Sequence, residues 1–236
     1  MNLTNKLWSL MYPARCPVCD GVVMPSGEKI CFCCRDRFRK VGEPYCLKCG
    51  QPLQEKEQEY CSDCSKKKHV FISGSCLYEY ESVQEAIYRF KYGGRREYAA
   101  FFGEEMAQFL GERIRSCQAD ALVPVPIHKK RLQERGYNQA QLLAQEIGKR
   151  LQIPVLDHMI GRIQNTAPQK GLGAQERQNN LKKAFKMYQN DVKLDTIIII
   201  DDIFTTGSTI DAMGRVLLEA GAKKIYFAAL AVGKGS

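Results

Sequence analysis

The sequence predicts an α/β protein, a mostly parallel sheet flanked by helices, with a small zinc-ribbon module at its N-terminal end. Three observations carry that expectation. Eight of the eleven cysteines fall into four C-x2-C knuckles within the first 64 residues. Beyond residue 70, apolar runs of strand length alternate with amphipathic stretches of helical period, the pattern of successive β-α-β units. Residues 197–200 are four consecutive isoleucines followed at once by Asp201 and Asp202, and a short, wholly apolar run of this kind suits a strand buried on both faces of a parallel sheet.

The knuckles are Cys16/Cys19, Cys31/Cys34, Cys46/Cys49 and Cys61/Cys64, in the frame C-x2-C-x11-C-x2-C used twice. Each knuckle presents two sulfurs from one tight turn, and zinc favours four thiolates in a tetrahedron. Repetition of the frame argues against a single redox pair, and disulfides are rare in cytosolic chains. Two structural Zn2+ ions are expected, with consecutive knuckles sharing a metal and a crossed arrangement as the alternative. Cys33 could compete as a ligand, whereas Cys76 and Cys117 read as small core residues. Closed four-sulfur sites have no open position, so the module should fold or bind rather than catalyse.

Cysteine density collapses after the polar run 62–69, which places the boundary between a ribbon module, 1–69, and an α/β domain, 70–236. In that domain, 71–80 reads as a strand and Ser82 as the cap of a helix running to Lys91. Residues 98–116 have helical period, 121–127 form a second strand, 138–151 an amphipathic helix and 153–160 a further strand. Residues 195–202 form the buried strand, 208–222 a helix closed by Gly221, and 223–232 the last strand.

The chain carries a formal charge of +9, compatible with a nucleic acid or a phosphorylated small molecule and also with solubility alone. No apolar run approaches the ~20 residues that span a bilayer. Residues 7–12 are too short for a signal-peptide core, so a cytoplasmic protein without membrane insertion is expected.

The chemistry is expected after the buried strand, because ligands of open α/β sheets bind beyond the carboxyl ends of strands. Thr205, Thr206, Gly207, Ser208 and Thr209 lie between that strand and a helix. Backbone amides at a helix start suit a phosphate, and a glycine allows close approach. Asp201 and Asp202 can accept hydrogen bonds from vicinal sugar hydroxyls or touch Mg2+. An ordinary capped helix would account for one hydroxyl but not for four beside a pair of acids. A Walker-B strand has no GxxxxGK[ST] partner anywhere in the chain.

The stretch resembles the phosphoribosyl pyrophosphate (PRPP) signature of type I phosphoribosyltransferases. With residues 89–99, 124–144 and 169–185 and the double cysteine frame, the chain resembles the ComF family over nearly its whole length. The resemblance implies a phosphoribosyltransferase-like fold that takes PRPP with Mg2+. Asp201 and Asp202 would hold the ribose hydroxyls and Thr205 to Thr209 the 5'-phosphate. Lys129, Lys130, Arg131 and Arg135 would lie in an enlarged pyrophosphate loop, and Arg177 in a loop that closes over the ligand. It further implies a role in natural transformation, on the cytoplasmic side of the DNA-uptake machinery, with imported single-stranded DNA, a competence helicase and a single-strand-loading protein as partners.

Arg89, Lys91, Tyr92, Arg95 and Arg96 interleave cations with an aromatic ring, as sequence-tolerant single-strand binding requires; the alternative is that Phe90 is simply the buried face of the helix starting at Ser82, which Gly93 and Gly94 end, leaving the arginines beyond them on a loop. Three functions remain open: a PRPP-binding competence factor, an active phosphoribosyltransferase with an unknown acceptor, and a zinc-ribbon scaffold with a vestigial nucleotide fold. The ribbon module is expected to take the place of the hood that holds the acceptor in family enzymes.

Overall fold

The structure, a computed structural model, describes residues 13–25, 27–163, 184–188 and 194–233. Its centre is a four-stranded parallel sheet in the order β1-β6-β5-β2, with β1 at Gly74–Glu79, β2 at Ala121–Pro124, β5 at Thr196–Phe204 and β6 at Lys224–Val232. The isoleucine run forms the middle of β5. Ile198 and Ile200 join the cluster under helices α2 (Tyr80–Tyr92), α3 (Tyr98–Phe109) and α6 (Gln139–Leu151), while Ile197 and Ile199 face the cluster that includes Ile210, Met213 and Leu217 of α7 (Ser208–Glu219). Alternate side chains of a strand point to opposite faces, so a strand covered on both must be apolar at every position. Burying each isoleucine contributes about 1.5–3 kcal/mol.

The offset between neighbouring strands positions the acids. β2 and β5 pair from Ala121↔Ile197 to Pro124↔Ile200, and β5 then continues beside β6 alone, from Asp201↔Ala229 to Phe204↔Val232. Asp201 and Asp202 therefore lie inside a strand that has outrun one neighbour, rather than in the turn after it.

Both outer edges of the sheet are met by other chain segments. On the β1 side, Lys40 bridges Tyr78 antiparallel, with Val41 N donating to Leu77 O (2.8 Å) and Glu79 N to Arg39 O (2.9 Å). On the β2 side, Val155 bridges Leu122, with Leu122 N donating to Pro154 O (2.8 Å) and Leu156 N to Leu122 O (3.0 Å). The expected strand at 153–160 is thus reduced to one bridge. The chain leaves the sheet at Asp157, whose carboxylate takes the side-chain amides of Gln141 (2.7 Å) and Gln145 (3.1 Å). It then forms β3 (Ile160–Arg162), which pairs antiparallel with β4 (Phe185–Met187) as a separate two-stranded ribbon.

Two further expectations are corrected. Ser82 does not cap α2: the helix begins at Tyr80, and the Ser82 hydroxyl, within its first turn, donates to Glu79 O (2.8 Å) and accepts from Arg39 N (3.0 Å). The helical stretch 98–116 breaks at Leu110 into α3 and α4 (Gly111–Ser116).

The composition boundary at 69/70 is not a packing boundary. Cys16, Val23, Ile30, Cys31 and Cys34 belong to the same core cluster as α2 and α3, while Cys46, Cys49 and Cys61 belong to the one beneath α7. A short helix, α1 (Ser62–Lys66), carries Cys64 before the chain crosses to β1.

Candidate functional site

β5 ends at Phe204, and Thr205 to Gly207 turn the chain into α7. Gly207 stands at the N-cap with φ +74°, and a Cβ there would lie 3.1 Å from His69 Cε1 and 3.2 Å from Phe71 Cε1. Both the left-handed backbone and the close rings select glycine. No side chain caps α7, so the ordinary capped-helix arrangement is not what the hydroxyls provide, and the first-turn amides face outward where an anion is favoured. The Thr206 and Ser208 hydroxyls pair with each other at 2.9 Å. Thr205 is exposed, and Thr209 is half-buried in the first turn.

A support under this turn escaped sequence reasoning. His69 Nδ1 lies 2.9 Å from Asp211 Oδ2, Val70 N donates to Asp211 Oδ1 (3.0 Å), and Asp211 N donates to Gly207 O (2.8 Å). The His69 ring also stacks on Phe71 with centroids 4.6 Å apart. A lone histidine 142 residues from its acid leaves no periodicity or spacing to find.

The acids have unequal surroundings. Asp201 accepts from Asp202 N (2.8 Å), and burial, reinforced by the adjacent Asp202 charge, pushes its carboxyl up to about 7. Asp202 Oδ2 lies 2.8 Å from Lys91 Nζ, with 14% and 17% of the two side chains exposed. Arg162 of β3 completes the group. Burial, then the like charge of Arg131, draws its pKa below the usual guanidinium value, against the pull of Asp201.

The basic residues after β2 are not in a loop. Lys129, Lys130, Arg131 and Arg135 lie on a helix, α5 (Lys129–Arg135), whose N-cap His128 accepts from Lys130 N (3.3 Å) and whose end is closed by Gly136 at φ +78°. Lys129 and Lys130 are exposed. Arg135 donates to Gln139 Oε1 and to the Tyr92 hydroxyl, both at 3.0 Å, and lies over the Tyr92 ring at 4.8 Å. A groove runs between α5 and β3, lined by His128, Lys129, Leu132, Asp157, Arg162 and Tyr188 among others. Arg177 lies outside the described residues.

The interleaved segment 89–96 is also rearranged relative to expectation. Arg89 donates to Pro17 O and Val18 O, both at 3.0 Å, and Arg95 holds Asp20 through two bonds of 2.7 and 2.9 Å. Lys91 pairs with Asp202. Three of the four cations thus have internal acceptors, because α2 packs against the first cysteine knuckle on one side and the acids on the other. Arg96 is exposed, as are Tyr92 (58%) and Tyr88 (65%), whose rings lie 5.2 Å apart.

The cysteines form two groups, Cys16/Cys19/Cys31/Cys34 and Cys46/Cys49/Cys61/Cys64, with all four sulfurs of each within 4.8 Å of one another. Consecutive knuckles therefore share a site. A tetrahedron with Zn–S of about 2.3 Å requires S···S of roughly 3.8 Å, and Cys49···Cys61 at 3.7 Å and Cys19···Cys31 at 4.0 Å fit it. The Cys49 thiol holds Cys46 down to about 4, and burial pushes Cys64 up to about 12. Each cluster is a four-sulfur set of the size that structural zinc takes. Cys33 is exposed and outside both groups, Cys76 is buried and donates to Cys49 O (3.6 Å), and Cys117 is half-buried.

Comparison with known proteins agrees with these features. Residues 7–65 match the model of the double zinc ribbon domain, and residues 134–236 that of the phosphoribosyl transferase domain. The chain joins a double zinc ribbon to a phosphoribosyltransferase domain. Among relatives, Competence protein ComFC of Bacillus subtilis is 29% identical over 93% of this chain and 95% of its own length. Competence protein F of Haemophilus influenzae is 38% identical over 48% of this chain and 50% of its own length, and DNA utilization protein YhgH of Salmonella typhimurium is 33% identical over 59% and 62%. The match to these last two spans about half to three-fifths of their length. The expected likeness to the ComF family is met by both domains and by these relatives. Among the described residues, no helix is long and apolar enough to cross a membrane.

Proposed function

We propose that the chain is a competence factor whose phosphoribosyltransferase domain binds PRPP and which assists the handling of single-stranded DNA during transformation. The observation that carries the ligand assignment is the junction of β5 with α7. Two carboxylates precede an uncapped helix start that a left-handed glycine brings close to any bound phosphate. In this reading Asp201 and Asp202 take the ribose hydroxyls, and Thr205, Thr206, Gly207, Ser208 and Thr209 take the 5'-phosphate. Arg131 and Arg162 supply positive charge for the pyrophosphate, with Lys129, Lys130 and Arg135 along α5. Mg2+ would neutralise part of the polyphosphate charge when bound. The names of the relatives support the biological role. Single-stranded DNA, a helicase and a loading protein as partners, and a cytoplasmic place beside the uptake machinery, follow from family resemblance.

Isothermal calorimetry of zinc-loaded protein with PRPP and Mg2+ tests the ligand. Saturable binding is expected, abolished by Asp201→Ala with Asp202→Ala. Unchanged affinity in the double variant would remove the site assignment. A second titration with single-stranded DNA separates the ligand from the nucleic acid, whose binding should weaken steeply with salt.

One observation favours transfer chemistry as a second reading. The exposed Tyr88 and Tyr92 rings stand on the helix that delivers Lys91 to Asp202, and such a pair can stack a planar acceptor near the ribose. Release of pyrophosphate from PRPP in the presence of single-stranded DNA or nucleobases would establish it.

A further inference from the structure

The acid pair is already supplied with a cation. Lys91 Nζ lies 2.8 Å from Asp202 Oδ2, with both side chains largely enclosed, and a buried carboxylate of this kind needs a charged partner. Mg2+ or Mn2+ drawn to this carboxylate would have to approach it to about 2.0–2.2 Å, beside the ammonium and against its charge. The second acid offers no easy alternative, since one Asp201 oxygen accepts from Asp202 N.

Lys91 is also held in place by its neighbours. Arg89 is fixed on the carbonyls of Pro17 and Val18. The Phe90 carbonyl accepts from the Tyr137 hydroxyl (2.7 Å) and from Gln139 Nε2 (3.1 Å). The Tyr92 hydroxyl accepts from Arg135. Four successive residues of the last turn of α2 are thus tied to three parts of the molecule, the first cysteine knuckle, the 135–139 segment and the acid pair, and the one that reaches the acids is a lysine.

We infer that Lys91 is the resident counter-cation of Asp202 and a specificity-determining residue. It excludes a free divalent metal from the acid pair and admits one only together with a polyphosphate sugar, whose anionic groups draw the ammonium off Asp202. The exclusion depends only on the geometry of Lys91 and Asp202. The admission rests on the phosphoribosyl reading given above.

The test uses Mn2+ alone as the probe, with zinc-loaded full-length protein and bound Mn2+ read by electron paramagnetic resonance. Mn2+ prefers oxygen ligands to the thiolates of the ribbons. Lys91→Met is expected to tighten Mn2+ binding by about tenfold or more, Lys91→Arg to behave as the unmodified protein, and Lys91→Met with Asp202→Asn to lose the gain. Lys91→Gln, which keeps a hydrogen-bond donor without the charge, should reproduce the gain if the methionine variant does not fold. The inference is overturned if the folded neutral variants, with unchanged zinc content, bind Mn2+ no more tightly, or if the gain survives Asp202→Asn. A parallel titration of the unmodified protein with PRPP and Mg2+ keeps the two readings apart. Failure there removes the phosphoribosyl ligand while leaving the Mn2+ result to stand or fall alone.

Discussion

Arg95 and Asp20 form a two-bond ion pair, 2.7 Å from Nε and 2.9 Å from Nη2, across the contact between the first cysteine knuckle and the turn after α2. The Tyr98 hydroxyl joins it, reaching Asp20 at 2.7 Å and Cys16 O at 3.1 Å. Asp20 itself sits at φ +56°, a conformation that short polar residues tolerate. The ribbon is thereby fastened to the α/β domain by side chains as well as by shared core.

Asp20→Asn should lower stability by about 1 kcal/mol, a modest figure because the pair is partly exposed. The Arg95 guanidinium holds the Asp20 carboxyl below its ordinary value. A depressed acid stabilises the fold above its unfolded pKa of about 3.9 and loses that contribution as pH falls through the folded value. Urea titrations should therefore show a difference between the two proteins at pH 7 that narrows progressively as pH is lowered below about 4.

Asp201 has the opposite sign. Its raised folded pKa means that the native state keeps a proton that the unfolded chain releases, so stability falls as pH rises from about 4 to about 7. Asp201→Asn should stabilise the ligand-free protein at pH 8 by a few degrees of melting temperature and leave it nearly unchanged at pH 4. Scanning fluorimetry across that range gives the answer, and equal shifts at both ends would contradict the assignment.

Gly207→Ala should cost about 1–2 kcal/mol, since it places a side chain in the left-handed region against His69 and Phe71. The same change should weaken PRPP binding more than it lowers stability. Calorimetry at a temperature well below the melting transition separates the two effects.

Chelation of zinc should unfold more than the ribbons. Cys16, Cys31 and Cys34 share one core cluster with α2 and α3, and Cys46, Cys49 and Cys61 share the other with α7. Metal loss is coupled to folding, so far-ultraviolet circular dichroism should show loss of helix from the α/β domain, with two equivalents of zinc released by mass spectrometry. Retained helix after complete release would mean that the domain stands alone.

Most of the fold was legible because its signals are local. The cysteine frame, the isoleucine run and the hydroxyl-glycine turn each lie within a few residues, and each is matched by the structure's zinc-sized clusters, by β5 and by the turn into α7. What escaped depends on long-range geometry. Lys91 and Arg95 look alike as members of a basic segment, yet one reaches Asp202 and the other Asp20, according to the face of the chain each occupies. His69 meets Asp211 only because the chain crosses α7 on its way to β1. The short strand at 153–160 failed because Asp157 found amide donors on α6 before the sheet could extend.

The bridge between Lys40 and Tyr78, with its flanking bonds from Val41 and to Arg39, bears on how the molecule can be dissected. Cutting the chain near residue 70 would strip β1 of its cover and leave a row of unpaired amides and carbonyls beside Leu77 and Tyr78. A strand edge of that kind recruits the same edge of another molecule. The isolated α/β portion is therefore a poor unit for expression, because in this chain the segment between the two metal clusters covers that edge.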